Sequence, residues 1–150
     1  MLYLSGVFIF KIPGKYGVKS AQVISIMKNI EKKRVLIIED EPDLSAVFVN
    51  LLEVFGFASS VADSAQAAKN SLANGKFDLF IIDLTLPDRS GIDLYKDIIS
   101  IHPEYKGKVI FTSGFNVSDE LNKIMERDSV SFLAKPFSMD KLKKVLERWM

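Results

Sequence analysis

Short runs of apolar residues recur over the last three quarters of the chain, and segments of helical period separate them. Three runs are continuous, Val35–Ile38, Leu79–Ile82 and Val109–Phe111, as expected for parallel strands that helices cover on both faces. Two others, Phe57–Val61 and Ser131–Ala134, include polar residues, which favours the edges of a sheet. The pattern therefore predicts five strands, with the two mixed runs at the edges.

A segment with an apolar stripe at helical spacing follows each run. Pro42 suits the first turn of the first helix, and Gly56 suits its end. Ser64 can cap the second helix, and the other three are predicted at about 91–100, at about 117–127 and after Ser138. Strict alternation of strands and helices predicts an α/β fold, a doubly wound parallel sheet with right-handed crossovers and helices on both faces.

The first 33 residues differ from the rest. The apolar cluster in Met1–Phe10 is too short for a membrane-spanning helix, and no basic residue precedes Lys11, as a secretory signal would require. We therefore predict that residues 1–33 form an extension outside the core and that residues 34–150 form the domain. Met27 would itself be a plausible native start.

The composition limits the chemistry that the chain can perform. There is no cysteine and only one histidine, His102, which excludes thiolate chemistry and metal sites that need several imidazoles. With 20 Lys and Arg against 19 Asp and Glu, the formal net charge is +1, which argues against a surface built to bind nucleic acid. Carboxylates, hydroxyls and lysines remain as the side chains that could perform chemistry.

Such side chains directly follow the predicted strands. Ligands of open parallel sheets bind beyond the carboxyl ends of the strands, so the residues at those ends should converge. They are Glu39 and Asp40 after the first strand, Asp83 after the third, Thr112 and Ser113 after the fourth, and Lys135 after the fifth.

Two carboxylates in one such site need a cation. At about 4–5 Å and an effective dielectric near 20, they repel by about 3–4 kcal/mol, and oxygen ligands alone favour Mg²⁺. A carboxylate beside Mg²⁺ can act as a nucleophile and form an aspartyl-phosphate. Lys135 and a hydroxyl, from Thr112 or Ser113, could then bind the phosphoryl oxygens.

At these residues the sequence resembles the receiver domain of bacterial two-component response regulators. The matching stretches are Val35–Pro42, Asp83–Pro87 with Gly91, Val109–Gly114 and Phe132–Phe137, and the resemblance extends from Arg34 to the end of the chain. It implies a flavodoxin-like strand order, 2-1-3-4-5.

The resemblance also implies the roles of the site residues. Asp83 is similar to the phosphoacceptor and Asp40 to the direct Mg²⁺ ligand. Glu39 resembles the acid that holds the metal through water. Thr85 would supply its backbone carbonyl to the metal, and Lys135 would pair with the phosphoryl group and form a cis peptide bond with Pro136.

Three further positions concern the switch and the loop before the fifth strand. Thr112 and Ser113 cannot both serve as the switch hydroxyl, because one step along a strand reverses the side-chain face, and the family spacing selects Ser113. Phe132 matches the aromatic switch position, but it lacks the hydroxyl of the usual Tyr. The loop before the fifth strand lacks the usual glycine, and we expect Asp128 to tolerate the left-handed conformation there.

The function implied is that of a receiver and not of an enzyme. Asp83 would accept a phosphoryl group from the phosphohistidine of a sensor histidine kinase or histidine phosphotransfer protein. Ser113 and Phe132 would then reshape a surface of helix 4, strand 5 and helix 5 that binds a downstream protein. Because the last predicted helix ends at Met150, we expect either a stand-alone receiver or a piece of a longer chain. We expect it to be cytoplasmic, with no nucleic-acid or membrane partner.

Three alternatives remain. The chain could be a receiver-like interaction module that is never phosphorylated. It could be an aspartate-nucleophile phosphatase of the haloacid dehalogenase kind, although Thr85 stands where that family needs a second aspartate. A flavodoxin would share the topology, but no phosphate-binding loop rich in Ser, Thr and Gly follows the first strand.

Overall fold

The structure of the protein is a computed structural model that describes residues 2–4, 7–9 and 31–150. The chain divides into two units, Met1–Glu31 and Lys32–Met150. In the first unit, Leu2–Leu4 pairs antiparallel with Val7–Ile9. Most of the predicted extension, Met27 included, lies outside the described residues.

The second unit contains a five-stranded parallel sheet. Its strands are β1 (Arg34–Ile38), β2 (Ala58–Ala62), β3 (Leu79–Asp83), β4 (Val109–Ser113) and β5 (Ser131–Ala134). They lie in the order β2-β1-β3-β4-β5 and every pair is parallel. The predicted strands, edge positions and strand order 2-1-3-4-5 are confirmed.

Each strand is followed by a helix. The helices are α1 (Pro42–Val54), α2 (Ala65–Asn74), α3 (Gly91–Ile101), α4 (Asp119–Asp128) and α5 (Met139–Leu146). Four of them begin after a serine whose hydroxyl accepts a hydrogen bond from a backbone N–H of the first turn, namely Ser64, Ser90, Ser118 and Ser138. The cap at Ser118 explains why α4 starts two residues later than its apolar pattern predicts. Within the described residues, no helix combines the length and apolarity needed to cross a bilayer.

Residues on β1 alternate between two cores, one on each face of the sheet. Leu36 and Ile38 pack with buried residues of α2, α3 and α4, and Val35 and Ile37 pack with buried residues of α1 and α5. Each fully buried side chain of this kind contributes about 1.5–3 kcal/mol. Both faces are covered, so functional groups are confined to the ends of the strands.

The loop before β5 differs from our expectation at one residue. Ser129, with φ of 55°, adopts the left-handed conformation, and Asp128 remains the last residue of α4. The Asp128 carboxylate is buried, where it accepts a 2.9 Å hydrogen bond from Tyr95 Oη and two bonds from the Arg127 guanidinium. These bonds hold Asp128 in the helix, so the chain reverses one residue later.

Candidate functional site

Three acidic residues meet at the carboxyl ends of β1 and β3. One carboxylate oxygen each from Glu39, Asp40 and Asp83 lies within 4.8 Å of the other two. Glu39 and Asp83 are buried, with exposed fractions of 2% and 5%, and Asp40 is exposed. The site therefore holds two buried carboxylates beside one that faces solvent.

Lys135 neutralises part of this charge. Its Nζ donates to Glu39 Oε2 at 2.7 Å and to Asp83 Oδ2 at 2.5 Å. Burial by itself lowers the pKa of Lys135, but the bonds to Asp83 and Glu39 outweigh it and raise the pKa above the ordinary 10.5. Burial, joined by the charge of Asp83, raises the pKa of Glu39 above its ordinary 4.5 in spite of the bond from Lys135.

The other oxygen of Asp83 is held by the loop that follows β3. Asp83 Oδ1 accepts a 2.8 Å hydrogen bond from the Thr85 N–H, and Thr85 forms an antiparallel bridge with Ser90. At the start of α3, a Cβ on Gly91 would lie 2.2 Å from the Asp83 carbonyl oxygen. The loop thus folds back on the end of β3, and only glycine permits this approach.

The two hydroxyls at the end of β4 lie on opposite faces of the sheet. Thr112 is in register with Asp83, so both side chains point to the same face. Ser113 lies on the other face, where half-buried Phe132 packs against the core. Ser113 Oγ accepts a 3.0 Å hydrogen bond from the Phe115 N–H.

The structure brings together four of the residues that the sequence nominated: Glu39, Asp40, Asp83 and Lys135. Thr85 joins them through its N–H, and the peptide bond from Lys135 to Pro136 is cis, as predicted. The placement of Ser113 and Phe132 on one face is compatible with their predicted joint role, which stays a prediction.

One supporting residue, Asp88, was not identified from the sequence. Its two carboxylate oxygens accept hydrogen bonds from the N–H groups of Ala65 and Gln66, at 2.9 and 3.0 Å. It thereby ties the loop after β3 to the N-terminus of α2, where a negative charge is favourable. These hydrogen bonds join residues more than 20 positions apart, and no local sequence motif predicts them.

The donor set fits a hard divalent cation. Every candidate ligand is an oxygen, the carboxylates are within reach of a single ion, and exposed Asp40 gives access from solvent. Mg²⁺ is bound by one or two carboxylates and keeps several waters, which matches such a half-open site. Glu39, Asp40, Asp83 and the Thr85 carbonyl are the groups that would hold the ion.

A groove of about 580 Å³ opens beside the acids. Its lining combines apolar side chains with charged ones, namely Leu44, Val47, Pro136 and Phe137 with Glu41, Asp43 and Lys135. Phe137 is stacked on Phe48 of α1, with 4.9 Å between the ring centroids. An apolar surface therefore borders the charged site.

Known proteins similar to this chain include response regulators and receiver domains. A family model described as the response regulator receiver domain matches residues 35–147. The transcriptional regulatory protein CitB of Klebsiella pneumoniae is 32% identical over 116 residues, which are 76% of this chain and 49% of CitB. The response regulator receiver protein CpdR of Brucella abortus (strain 2308) is 29% identical over 79% of this chain and 97% of its own length.

A solved structure agrees with these relatives. The response regulator receiver domain (CheY-like) from Methylobacillus flagellatus superimposes with a TM-score of 0.70 at 28% identity, over 80% of this chain and all of that one. The chain spans about a quarter to a half of the length of the first curated relatives, at 49%, 23% and 26%.

Proposed function

This chain belongs to the response regulator receiver domain family, and on that basis we propose that it is a phosphoryl-accepting switch with Asp83 as the acceptor. One observation carries the proposal. The Asp83 carboxylate is held between the Lys135 ammonium and the Thr85 N–H, with Glu39 and Asp40 in reach of the same cation. A nucleophilic carboxylate needs this fixed orientation and this supply of positive charge.

Glu39, Asp40, Asp83 and the Thr85 carbonyl would hold Mg²⁺. When bound, Mg²⁺ would neutralise charge on the phosphoryl group during transfer. Lys135 serves the same end from the protein, because its ammonium already lies between the two buried acids. Asp83 then attacks phosphorus with a carboxylate oxygen, the phosphorus–nitrogen bond of the donor breaks, and the imidazole leaves with that electron pair.

The donor histidine belongs to a partner. The one histidine of the sequence, His102, caps the C-terminus of α3. Helix α3 starts beside Asp83 and has 11 residues, a length of about 16 Å, so His102 lies far from the acceptor. We propose a sensor histidine kinase or a histidine phosphotransfer protein as donor, docked along the apolar groove between α1 and Phe137.

The output is a change of surface. A phosphoryl group on Asp83 gives Lys135 a new anionic partner and offers Ser113 an acceptor in place of its contact with Phe115. Movement of Ser113 would open room for Phe132 on the same face of the sheet. The surface of α4, β5 and α5 would then shift towards a second, pre-existing arrangement that a downstream protein recognises.

The test of the acceptor is labelling by acetyl phosphate with Mg²⁺, followed by intact mass. We expect one phosphoryl group on the wild type and none on Asp83→Asn. Asp43→Asn is the matched control, since Asp43 is exposed in the first turn of α1 and lies outside the acidic cluster. Equal labelling of Asp83→Asn and wild type would contradict the assignment, and steady hydrolysis of phosphate esters would indicate a phosphatase.

Lys135 tests the switch separately from the acceptor. We expect Lys135→Ala to keep part of the labelling, because the acids that would hold the cation remain. It should lose the change in amide NMR shifts of α4 and β5 that labelling produces in the wild type. A full shift change in labelled Lys135→Ala would remove Lys135 from the switch.

A further inference from the structure

Thr112 lies on the path by which Lys135 reaches the acids. Strand β4 lies between β3 and β5, and Thr112 is in register with Asp83 on one side and Leu133 on the other. Lys135 follows Leu133 by two residues, so it points to the same face. Because its Nζ bonds Asp83 Oδ2, the Lys135 side chain crosses β4 above Thr112.

The Thr112 hydroxyl is buried and unused. The residue has no exposed surface, and among the described residues Thr112 Oγ1 is the one buried side-chain polar atom without a hydrogen-bond partner. Buried polar groups are nearly always paired, and an exception calls for a reason. On this face Ile110 and Leu133 are apolar, whereas Asp83 is the register partner of Thr112 on β3 and Lys135 follows its register partner on β5 by two residues.

We propose that Thr112 is a positioning residue for Lys135. Its Oγ accepts a hydrogen bond from Lys135 Nζ once a divalent cation draws away the carboxylate oxygens that Nζ now bonds, or once Nζ turns towards a phosphoryl group on Asp83. An ammonium has three donors and no acceptor, and Lys135 uses two of them on Glu39 and Asp83. The inference deepens the proposed function and rests on it.

Charge explains why Lys135 does not bond the Thr112 hydroxyl in the present arrangement. In the present arrangement the ammonium bonds two carboxylates, which are stronger acceptors than a hydroxyl. A cation held by the same acids repels the ammonium and competes for their oxygens. Lys135 then needs further acceptors in a position where its side chain is only 16% exposed, and Thr112 lies on the strand that this side chain crosses.

Three variants separate the hydroxyl from the shape of the side chain. Thr112→Val replaces the hydroxyl by a methyl group, Thr112→Ser keeps the hydroxyl, and Lys135→Met removes the ammonium. The measurement is the affinity of the full chain for beryllofluoride, a mimic of the phosphoryl group, by calorimetry at fixed Mg²⁺. Urea unfolding without ligand shows that each variant is folded.

We expect Thr112→Val to weaken beryllofluoride binding about tenfold, equivalent to 1.4 kcal/mol, and Thr112→Ser to stay within about twofold of wild type. In the Lys135→Met background, Thr112→Val should have no further effect, because the hydroxyl acts through Lys135. A purely structural role would give the same loss in both backgrounds.

Two results would overturn the inference alone: wild-type affinity in Thr112→Val, or an undiminished effect of Thr112→Val when Lys135 is Met. Failure of the wild type to bind beryllofluoride, with no difference from Asp83→Asn, would instead contradict the proposed function and this inference with it. The wild-type arm therefore tells the two failures apart.

Discussion

Glu39 carries its charge in a buried position beside Asp83, and this has a measurable consequence for stability. Because its pKa is raised in the folded state, the ionised form opposes folding. The contribution of Glu39 is most favourable below pH 4.5, its ordinary pKa, and is lost as the pH rises through the folded value. Neutral glutamine at this position avoids that loss.

We expect Glu39→Gln to raise the free energy of unfolding near neutral pH, without divalent cations, on the order of 1 kcal/mol. The gain should vanish below pH 4.5, where Glu39 is itself neutral. Urea unfolding with chelator at both pH values measures it, and Glu53→Gln on the exposed face of α1 is the control. A loss of stability in Glu39→Gln near neutral pH would contradict the argument.

Thr112 and Ser113 show which properties of single residues can be predicted from the sequence and which cannot. The rule that neighbouring strand residues face opposite ways separates the two hydroxyls, and the family spacing favours Ser113 as the switch. Neither reveals that Thr112 pairs with Asp83, because register is a property of two strands that are 29 residues apart in the chain. The sequence therefore nominates the acids and Lys135, which the structure brings together, but it gives no sign that Thr112 lies in register with Asp83.

Asp128 also shows that the local sequence does not reveal contacts between residues far apart in the chain. The missing glycine predicts a left-handed residue, but the choice between Asp128 and Ser129 depends on Tyr95 of α3. Asp128 accepts a hydrogen bond from a tyrosine 33 residues away, and nothing in the sequence around Asp128 predicts this bond.

At the scale of elements, the close contact between α3 and the end of β3 controls the shape of the site. A methyl group on Gly91 would meet the backbone of Asp83 and Leu84, so the loop that carries Thr85 would have to move. We expect Gly91→Ala to cost about 1–3 kcal/mol and to slow labelling of Asp83. Urea unfolding and the initial rate of labelling measure the two effects.

Gly114 provides the matched control, since a Cβ there meets nothing within 4 Å and the residue lies beside the same site. Gly114→Ala should keep the stability of the wild type. A similar loss of stability in both variants would mean that the replacement of glycine by alanine is itself the cause. The close contact between Gly91 and Asp83 would then not explain the loss.

A buried hydrogen bond links α3 to α4. Tyr95 Oη donates to Asp128 Oδ2 at 2.9 Å, and the bond from Arg127, with that from Tyr95, holds the pKa of Asp128 well below its usual range. Hydrogen bonds to charged groups contribute about 1.5–3 kcal/mol. Tyr95→Phe should therefore lower the free energy of unfolding by about 2 kcal/mol.

Tyr105→Phe is the comparison for this bond. The ring of Tyr105 is also buried, but within the described part of the chain its hydroxyl forms no hydrogen bond to another side chain. Thermal or urea unfolding should separate the two variants clearly. Equal stabilities would mean that the Tyr95 hydroxyl contributes nothing net to the fold.

At the scale of the whole molecule, the alternation of strands and helices predicts the fold class because right-handed crossovers leave few arrangements. Periodicity shows which residues are buried and not which strands are neighbours, so the order 2-1-3-4-5 depended on the family resemblance. The hairpin of Leu2–Leu4 and Val7–Ile9 was not predicted, although a gap of two residues between apolar runs is a known hairpin signal.

The chain divides at Lys32, where the second unit begins. Among the residues whose burial the structure describes, 31–150, the buried apolar side chains run from Val35 to Leu146, and the family match covers residues 35–147. We propose that the chain from Lys32 onward folds by itself. It should unfold in one cooperative transition with the midpoint of the full chain and label fully at Asp83. Trp149, the single tryptophan, reports the transition by fluorescence.

A chain that starts at Val35 is the sharper comparison, because it lacks two anchors that the longer piece keeps. Lys33 Nζ donates to the Trp149 carbonyl at 2.7 Å. The Arg34 N–H donates to Asp78 Oδ2 at 2.7 Å, and its guanidinium lies 4.9 Å from the centre of the Phe77 ring. Loss of such contacts should cost about 1–2 kcal/mol. If the piece from Lys32 were as unstable as the piece from Val35, residues before Lys32 would have to support the receiver fold.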